Sequence, residues 1–234
     1  MARGEVDPFI KGVEREIGPD RVSTLPEDLL SFSYDAQHIR GKPSAVVRPR
    51  SVEEAEAALR LAVEHNQQIV PRGAGTGLSG GAVPLDNAVV LDLAGLDRII
   101  DIDERDFVAV VEPGVVTEKL HEAVEEKGLF YPPDPASMSA CTIGGNVAEN
   151  AGGPRALKYG TTSEYLLGLD VFAPAFGRMR LGGRTIKNVT GYDLVRTICG
   201  SEGTLAVVLE ATLKLLPLPP ARRTLFCAFS DLKT

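Results

Sequence analysis

Apolar residues recur at helical spacing and in short runs along the first hundred residues of the chain. Two helical patches, Pro8–Ile17 and Pro26–Phe32, lie in a charged N-terminal extension of about forty residues. From Ala45 the pattern predicts a strand, then a helix that begins at a Ser51 capping box, and then a second strand. A third strand is predicted over 88–93. These elements form a strand-helix-strand unit with one further strand.

The second half of the chain is richer in β-type runs. Ile99–Ile102 and Phe107–Val111 predict a hairpin with a four-residue turn. Thr117 is expected to cap a helix that Gly128 ends. Further strands are predicted over 165–172 and 204–216.

Three prolines, Pro217, Pro219 and Pro220, follow the last of these strands and break the pattern. Proline removes a backbone donor and fixes φ, so this cluster is expected to mark a domain boundary. The segment 222–234 then resembles the first strand of a further unit. We expect an N-terminal helical extension over 1–40, one domain over 41–217, and the start of a second domain over 218–234.

Composition excludes several classes of function. The 25 basic and 32 acidic residues are interspersed and give a net charge of −7, so neither nucleic acid nor a membrane surface is an expected partner. No apolar run suits a signal peptide or a membrane span. The three cysteines are scattered, which favours a cytoplasmic compartment and no metal site. The three histidines are also scattered and are expected at the surface.

The most informative stretch is Pro71–Gly81, which has five glycines directly after a predicted strand. Glycine allows consecutive backbone N–H groups to face one anion, and a pyrophosphate is the expected ligand. Part of the loop formally matches the dinucleotide fingerprint G-x-G-x-x-G. That fingerprint requires a helix to begin at the loop, whereas Pro84 and a turn-like Asp86-Asn87 follow here. We therefore reject a Rossmann site and expect the loop to run into a strand.

Two more glycine clusters follow. Cys141–Gly153 alternates small and polar residues, which suits close approach to a flat ring and its sugar chain, and the proline-rich loop Tyr131–Pro135 precedes it. Gly200–Thr204 leads into a strand. We expect each cluster at a strand end, and together they predict one extended ligand across the domain.

These clusters, with Lys187–Leu194 between the second and third, closely resemble the FAD-linked oxidases of the vanillyl-alcohol oxidase/PCMH superfamily. The resemblance covers roughly 34–217 and is strongest to flavin-dependent enzymes of the glycolate oxidase D-subunit and D-lactate dehydrogenase type. It implies an α+β fold of PCMH type. A small subdomain with a three-stranded sheet, 41–93, would lie beside a larger antiparallel one, 94–217, with FAD between them.

The resemblance also implies where FAD binds, and three groups of residues are expected to contact it. The pyrophosphate loop would be Arg72, Gly73, Ala74, Gly75, Thr76, Gly77, Ser79 and Gly80, with Thr76 and Ser79 as side-chain donors. The wall of the isoalloxazine and ribityl site would be Pro133, Asp134, Thr142, Gly144, Gly145, Asn146, Asn150, Gly152 and Gly153. Glu202, Gly203 and Val208 would hold the adenosine side.

Other implications concern attachment and catalysis. Family members that bind FAD covalently usually carry a histidine in the first loop, and Thr76 stands there in this chain, so attachment is expected to be non-covalent. Family members also have a cap domain that supplies the substrate ligands, and no catalytic residue is assigned here. Lys187, Asn188 and Tyr192 could line the pocket or pack the two subdomains. The run 172–177 departs from the polar Asp-Gly hairpin common in the family.

Three functions stay open at this point. The first is the FAD domain of an oxidoreductase that takes a hydride from C2 of a small 2-hydroxy acid. The second is a flavin-binding subunit that passes electrons within a multi-subunit oxidase, with other oxidase subunits as partners. The third is a reductase of enolpyruvyl sugars, against which the run Lys187–Leu194 argues.

Overall fold

The computed structural model describes residues 7–228, which form a four-stranded, a five-stranded and a two-stranded sheet with helices packed on them. The helices are α1 (Pro8–Ile17), α2 (Pro26–Ser31), α3 (Val52–Glu64), α4 (Thr117–Glu125), α5 (Ile143–Glu149), α6 (Ala156–Tyr159) and α7 (Leu194–Ile198). The strands are β1 (Val22–Ser23), β2 (Ala45–Val47), β3 (Ile69–Arg72), β4 (Val89–Asp92), β5 (Ile99–Asp103), β6 (Val108–Val111), β7 (Leu129–Phe130), β8 (Leu166–Ala173), β9 (Gly177–Gly182), β10 (Val207–Lys214) and β11 (Leu216–Pro217). The helices are short, and the two-stranded sheet pairs β11 with β7.

The small sheet has four strands in the order β1-β2-β4-β3. β2, β4 and β3 run parallel, as a strand-helix-strand unit requires, and β1 pairs antiparallel to β2 through Val22 and Val47. The expectation of three strands for the small sheet is therefore wrong, because the sheet has four. The extra strand comes from the N-terminal extension, whose α1 packs on α3 and adds Phe9 and Val13 to the same core.

The large sheet is antiparallel throughout, in the order β5-β6-β10-β8-β9. Both sides of the sheet are buried along β10, and a bulge between Val208 and Glu210 shifts the alternation of its side chains. Val207 and Leu209 join the core of the small sheet, while Val208 and Leu213 pack with α4, α5 and α7. The large sheet therefore separates two apolar cores, and one of them is shared with the small sheet.

Several local predictions are confirmed. Ser51 Oγ accepts a hydrogen bond from Glu54 N at 3.2 Å and begins α3, as the capping box predicts. β5 and β6 form the expected hairpin. The α+β architecture is also confirmed.

Two other predictions need correction. Thr117 is the first residue of α4 and not its cap, because its hydroxyl is engaged by Cys141 O at 3.2 Å and Asn146 Nδ2 at 2.7 Å. The helix ends at Glu125, and Gly128 follows in a turn with φ +70°. The strand expected over 222–234 is not formed in its described part, residues 222–228, and residues 229–234 lie outside the described residues.

Candidate functional site

A cleft of about 280 Å³ opens where the small sheet, helix α5 and the start of β10 meet. All three glycine clusters contribute to its wall, as expected for one extended ligand. Of the residues predicted to bind FAD, those that line the cleft are Arg72, Gly73, Ala74, Gly75, Thr76, Gly77, Thr142, Gly144, Gly145, Asn146, Glu202, Gly203 and Val208.

The first glycine loop connects β3 to β4 without forming a helix between residues 73 and 88. The rejection of a Rossmann site is confirmed, because the loop runs from β3 into β4 and no helix begins at it. Gly75 has a φ of +68°, and a Cβ there would lie 2.2 Å from Arg72 Nη2. Glycine is therefore required at 75 for both its dihedral and the space that the guanidinium occupies.

The second glycine cluster is a helix and not a strand end, which corrects the prediction. Thr142 caps α5 by accepting a hydrogen bond from Gly145 N at 3.3 Å. A Cβ on Gly73 would lie 2.3 Å from Thr142 Oγ1, and one on Gly144 would lie 2.6 Å from Pro113 Cβ. The glycines let the helix approach the first loop closely, in addition to any contact with a ligand.

The third cluster closes the cleft from the side of β10. Glu202 and Gly203 have φ values of +52° and +74°, so the chain turns sharply there before entering the sheet. A Cβ on Gly203 would lie 2.7 Å from Pro71 Cγ, and one on Gly81 would lie 3.2 Å from Glu202 Oε2. The first and third clusters are therefore in direct contact.

Seven predicted residues do not line the cleft: Ser79, Gly80, Pro133, Asp134, Asn150, Gly152 and Gly153. Most of them make contacts that hold α5 and the neighbouring loops in position. Asp134 pairs with Arg155 Nε at 3.2 Å, and Gly153 lies so near that a Cβ on it would be 2.0 Å from Asp134 O. Asn150 ends α5 in the left-handed region and accepts a hydrogen bond from Ser163 N at 3.0 Å. The proline loop is fixed by His121, whose Nε2 is 2.9 Å from Pro133 O.

His121 is buried and not at the surface, which corrects the expectation for this histidine. Burial lowers the pKa of its imidazole, and the contact with Pro133 O acts in the opposite direction. His121 does not line the cleft.

Sequence reasoning missed the acidic residue Glu149, which lines the cleft opposite the first loop. Its Oε2 accepts a hydrogen bond from Ser79 Oγ at 2.6 Å, and its Oε1 would lie 2.9 Å from a Cβ on Gly77. Gly145 and Glu149 are four residues apart and therefore share one face of α5. Assigning this segment to a helix would have placed Glu149 on the ligand side.

Arg72 is the cation of the cleft wall, and it is only 8% exposed. A guanidinium has five N–H donors. Among residues 7–228 the Arg72 side chain makes one hydrogen bond, from Nη1 to Ala82 O at 3.1 Å. Burial lowers the pKa of Arg72, and the carboxylates of Asp92 and Asp35 act in the opposite direction. A buried, under-used cation beside a glycine loop is suited to an anionic ligand.

The segment Lys187–Leu194 lies elsewhere. Asn188 and Tyr192 line a separate cleft of about 480 Å³, next to β9 and α7, and Tyr192 is 93% exposed. Lys187 lines neither cleft. The sequence left two roles open for these residues, lining the pocket or packing. The structure does not place them in the wall of the glycine-lined cleft.

Within residues 7–228 no helix has both the length and the apolar character needed to cross a membrane. In the same part of the chain, histidine, cysteine and acidic side chains do not assemble in threes that could hold a metal ion.

Comparison with known proteins assigns a class to this fold and cleft. A family model described as an FAD binding domain matches residues 43–195, and the chain belongs to this family. The chain is 45% identical to the glycolate oxidase subunit GlcD of Bacillus subtilis over 92% of its own length and 46% of the relative. It is 39% identical to a D-lactate dehydrogenase of Anaerostipes hadrus over 94% of its length and 46% of the relative.

A solved structure of an alkyldihydroxyacetonephosphate synthase matches with a TM-score of 0.83 at 24% identity, covering 94% of this chain and 42% of that one. This likeness confirms the fold. The chain spans about half the length of the curated relatives it matches.

The residues of the cleft fit FAD. The glycine loop offers backbone N–H groups and the free donors of Arg72 to a pyrophosphate. Gly145 leaves space for a flat ring beside α5, and apolar Leu93 and Val208 complete the wall. Glu202 offers acceptors suited to sugar hydroxyls.

Proposed function

We propose that this chain is the FAD-binding half of a flavin-dependent 2-hydroxyacid dehydrogenase or oxidase of the glycolate or D-lactate type. The observation that supports this most is the match of more than nine-tenths of the chain to two relatives named for those activities. When bound, FAD supplies the acceptor for the hydride from C2 of the substrate, at flavin N5. The domain boundaries that go with this proposal are 41–93 and 94–217, with a further domain beginning at 218.

In this proposal the chain binds and orients the cofactor. Arg72 and the backbone of residues 73–80 hold the pyrophosphate, the start of α5 holds the ring side, and Glu202 with Gly203 holds the adenosine side. Asp134, Asn150, Gly152 and Gly153 act indirectly, since their contacts fix the position of α5.

We further propose that FAD is bound without a covalent link. Thr76 lines the first loop where covalent family members have histidine, and among the described residues no histidine lines the cleft. Cys141 also lines the cleft, but it is 4% exposed and its Sγ lies 3.3 Å from Thr117 Oγ1.

Substrate groups are proposed to lie outside these residues. The charged side chains of the described cleft wall are Arg72, Glu149 and Glu202, and they belong to the cofactor site. Without a general base and a carboxylate clamp, the rate should fall by several orders of magnitude, since each is commonly worth ~10² or more. Anaerobic mixing tests this: dithionite should bleach the bound flavin, and glycolate or D-lactate should not. Fast bleaching by a hydroxy acid would place the catalytic groups within this chain.

A second candidate is a flavin-binding subunit that transfers electrons to other oxidase subunits, which the word "subunit" in the name of one relative favours. The reading frame beyond Thr234 separates the two. Continuation for about 200 codons fits a second domain of typical size and supports the first candidate. A stop codon directly after Thr234 would support the second.

A further inference from the structure

The N-terminal extension reaches the cofactor cleft through one aromatic ring. Phe32 follows α2, and its ring lies close to two guanidinium groups: the ring centroid is 5.1 Å from Arg48 Cζ and 5.6 Å from Arg72 Cζ. The family match begins at residue 43, so this contact is made by a part of the chain outside it. A cation over an aromatic face is attracted by the ring quadrupole, most strongly where water is excluded.

Arg72 also contacts the first glycine loop. Its Nη1 donates to Ala82 O at 3.1 Å, and its Nη2 occupies the space that a Cβ on Gly75 would need. The guanidinium therefore contacts both the Phe32 ring and the loop. A long side chain fixed in this way loses little rotamer freedom when an anion binds.

Asp35 is a buried acidic residue near Arg72. It is 2% exposed, and its Oδ1 accepts a hydrogen bond from Gln37 N at 2.9 Å. Its Oδ2 is buried and has no hydrogen-bond partner among residues 7–228. A buried carboxylate oxygen without a partner is costly, so it requires a nearby positive charge or a function. The nearby Arg72 supplies that charge, and Asp35 acts to raise the pKa of the Arg72 guanidinium.

We propose that Phe32 and Asp35 are positioning residues that hold the Arg72 guanidinium against the first glycine loop, ready to pair with the diphosphate of the cofactor. The inference rests on the proposed placement of the pyrophosphate at this loop. The N-terminal extension is then part of the cofactor site, although it contributes no atom to the cleft wall.

The test is a titration of the flavin-free chain with two probes. FAD carries the diphosphate, and riboflavin has the same ring and ribityl chain without phosphate. Phe32→Leu keeps an apolar side chain but removes the ring, and Asp35→Asn removes the charge. Each should raise the Kd for FAD about fivefold and leave the Kd for riboflavin unchanged. Leu30→Ala, an exposed position on α2, is the matched control and should change neither.

A double-mutant cycle shows whether the effect passes through Arg72. In an Arg72→Met background, Phe32→Leu should no longer change the Kd for FAD. Thermal unfolding of each flavin-free variant shows whether it is folded, and Asp35→Asn provides the test if Phe32→Leu does not fold.

The outcomes separate this inference from the proposed function. If Arg72→Met leaves the Kd for FAD unchanged, the pyrophosphate is not at this loop and the proposed placement fails with it. If Arg72→Met weakens FAD binding while Phe32→Leu and Asp35→Asn do not, only the positioning role is overturned. An equal loss of riboflavin and FAD binding in the Phe32 variant would show general damage to the cleft and would also overturn it.

Discussion

Ser79 and Glu149 join the first glycine loop to helix α5 through a hydrogen bond of 2.6 Å from the Ser79 hydroxyl to Glu149 Oε2. Because a hydroxyl has only one proton, Ser79 cannot donate a hydrogen bond to a phosphate while it donates one to Glu149. The same contact places a carboxylate beside the loop that is proposed to bind the pyrophosphate. Glu149 therefore opposes the binding of an anion there unless its oxygens accept hydrogen bonds from the sugar hydroxyls of the ligand.

The first prediction concerns that charge. Glu149→Gln should tighten FAD binding about threefold or more, because it removes a partly exposed negative charge near two phosphates. Ser79→Ala should change the Kd for FAD less than about twofold. Titration followed by flavin fluorescence measures both, and Glu126→Gln, an exposed site outside the cleft wall, is the control. Weaker binding in Glu149→Gln would mean that the carboxylate accepts hydrogen bonds from the cofactor.

The second prediction concerns Gly75. Gly75→Asp should abolish FAD binding, because the new side chain displaces Arg72 and adds a negative charge at the loop. Gly177→Asp is a matched control: its φ of +74° imposes a similar backbone strain, and a Cβ there meets nothing within 4 Å. Flavin content after purification distinguishes the two variants. Wild-type flavin content in Gly75→Asp would show that the loop does not face the cofactor.

The third prediction concerns the ion pairs that Arg178 makes within the large sheet and with helix α3. Arg178 on β9 contacts Asp170 Oδ2 at 3.0 Å and, through Nη1, Glu56 Oε2 on α3 at 3.1 Å. The Asp170 side chain is 2% exposed. Arg178→Met should lower the free energy of unfolding by about 3 kcal/mol, the lower end for a broken buried pair, because Arg180 still contacts Asp170.

The control for this prediction is an exposed pair of the same type. Arg184 contacts Asp101 at 2.5 Å, and both side chains are more than two-fifths exposed. Arg184→Met should cost less than about 1 kcal/mol in urea unfolding. Equal losses in the two variants would mean that burial of Asp170 does not determine the strength of its contacts.

The fourth prediction is a dependence of stability on pH. Burial raises the pKa of the Cys199 thiol to about 11, against an ordinary value of 9.0. Between these values the unfolded chain loses the thiol proton while the folded chain keeps it, so rising pH favours unfolding. The free energy of unfolding should fall across this window, and Cys199→Ala should make the fall smaller. The exposed Cys227→Ala should not. Identical pH slopes for wild type and Cys199→Ala would contradict the burial effect.

Local signals were enough to predict much of the small sheet and the first loop. The Ser51 capping box correctly began α3, and the residues after Gly81 correctly excluded a helix, because caps and turns act within a few residues. The fourth strand was missed, since β1 is two residues long and is defined only by pairing with β2. Pairing across distant parts of the chain leaves no local pattern.

The second glycine cluster shows why the site was predicted only in part. Two consecutive glycines disfavour a helix, by about 1 kcal/mol each. Tertiary contacts outweigh this cost, because Gly144 meets Pro113 and Gly73 meets Thr142. Because the sequence analysis did not predict α5, it could not recognise that Gly145 and Glu149 share one helix face. Phe32 carried no motif, and its place beside Arg72 follows only from the fold.

The most direct measurement is the fate of the flavin when the purified chain is precipitated with acid. Non-covalent binding in the glycine-lined cleft predicts a yellow chain that releases intact FAD, close to one equivalent, into the supernatant and leaves a colourless pellet. Chromatography identifies the released flavin. A yellow pellet would contradict non-covalent attachment and direct attention to Cys141, the thiol that lines the cleft. A colourless chain that does not bind added FAD would contradict the cofactor site itself.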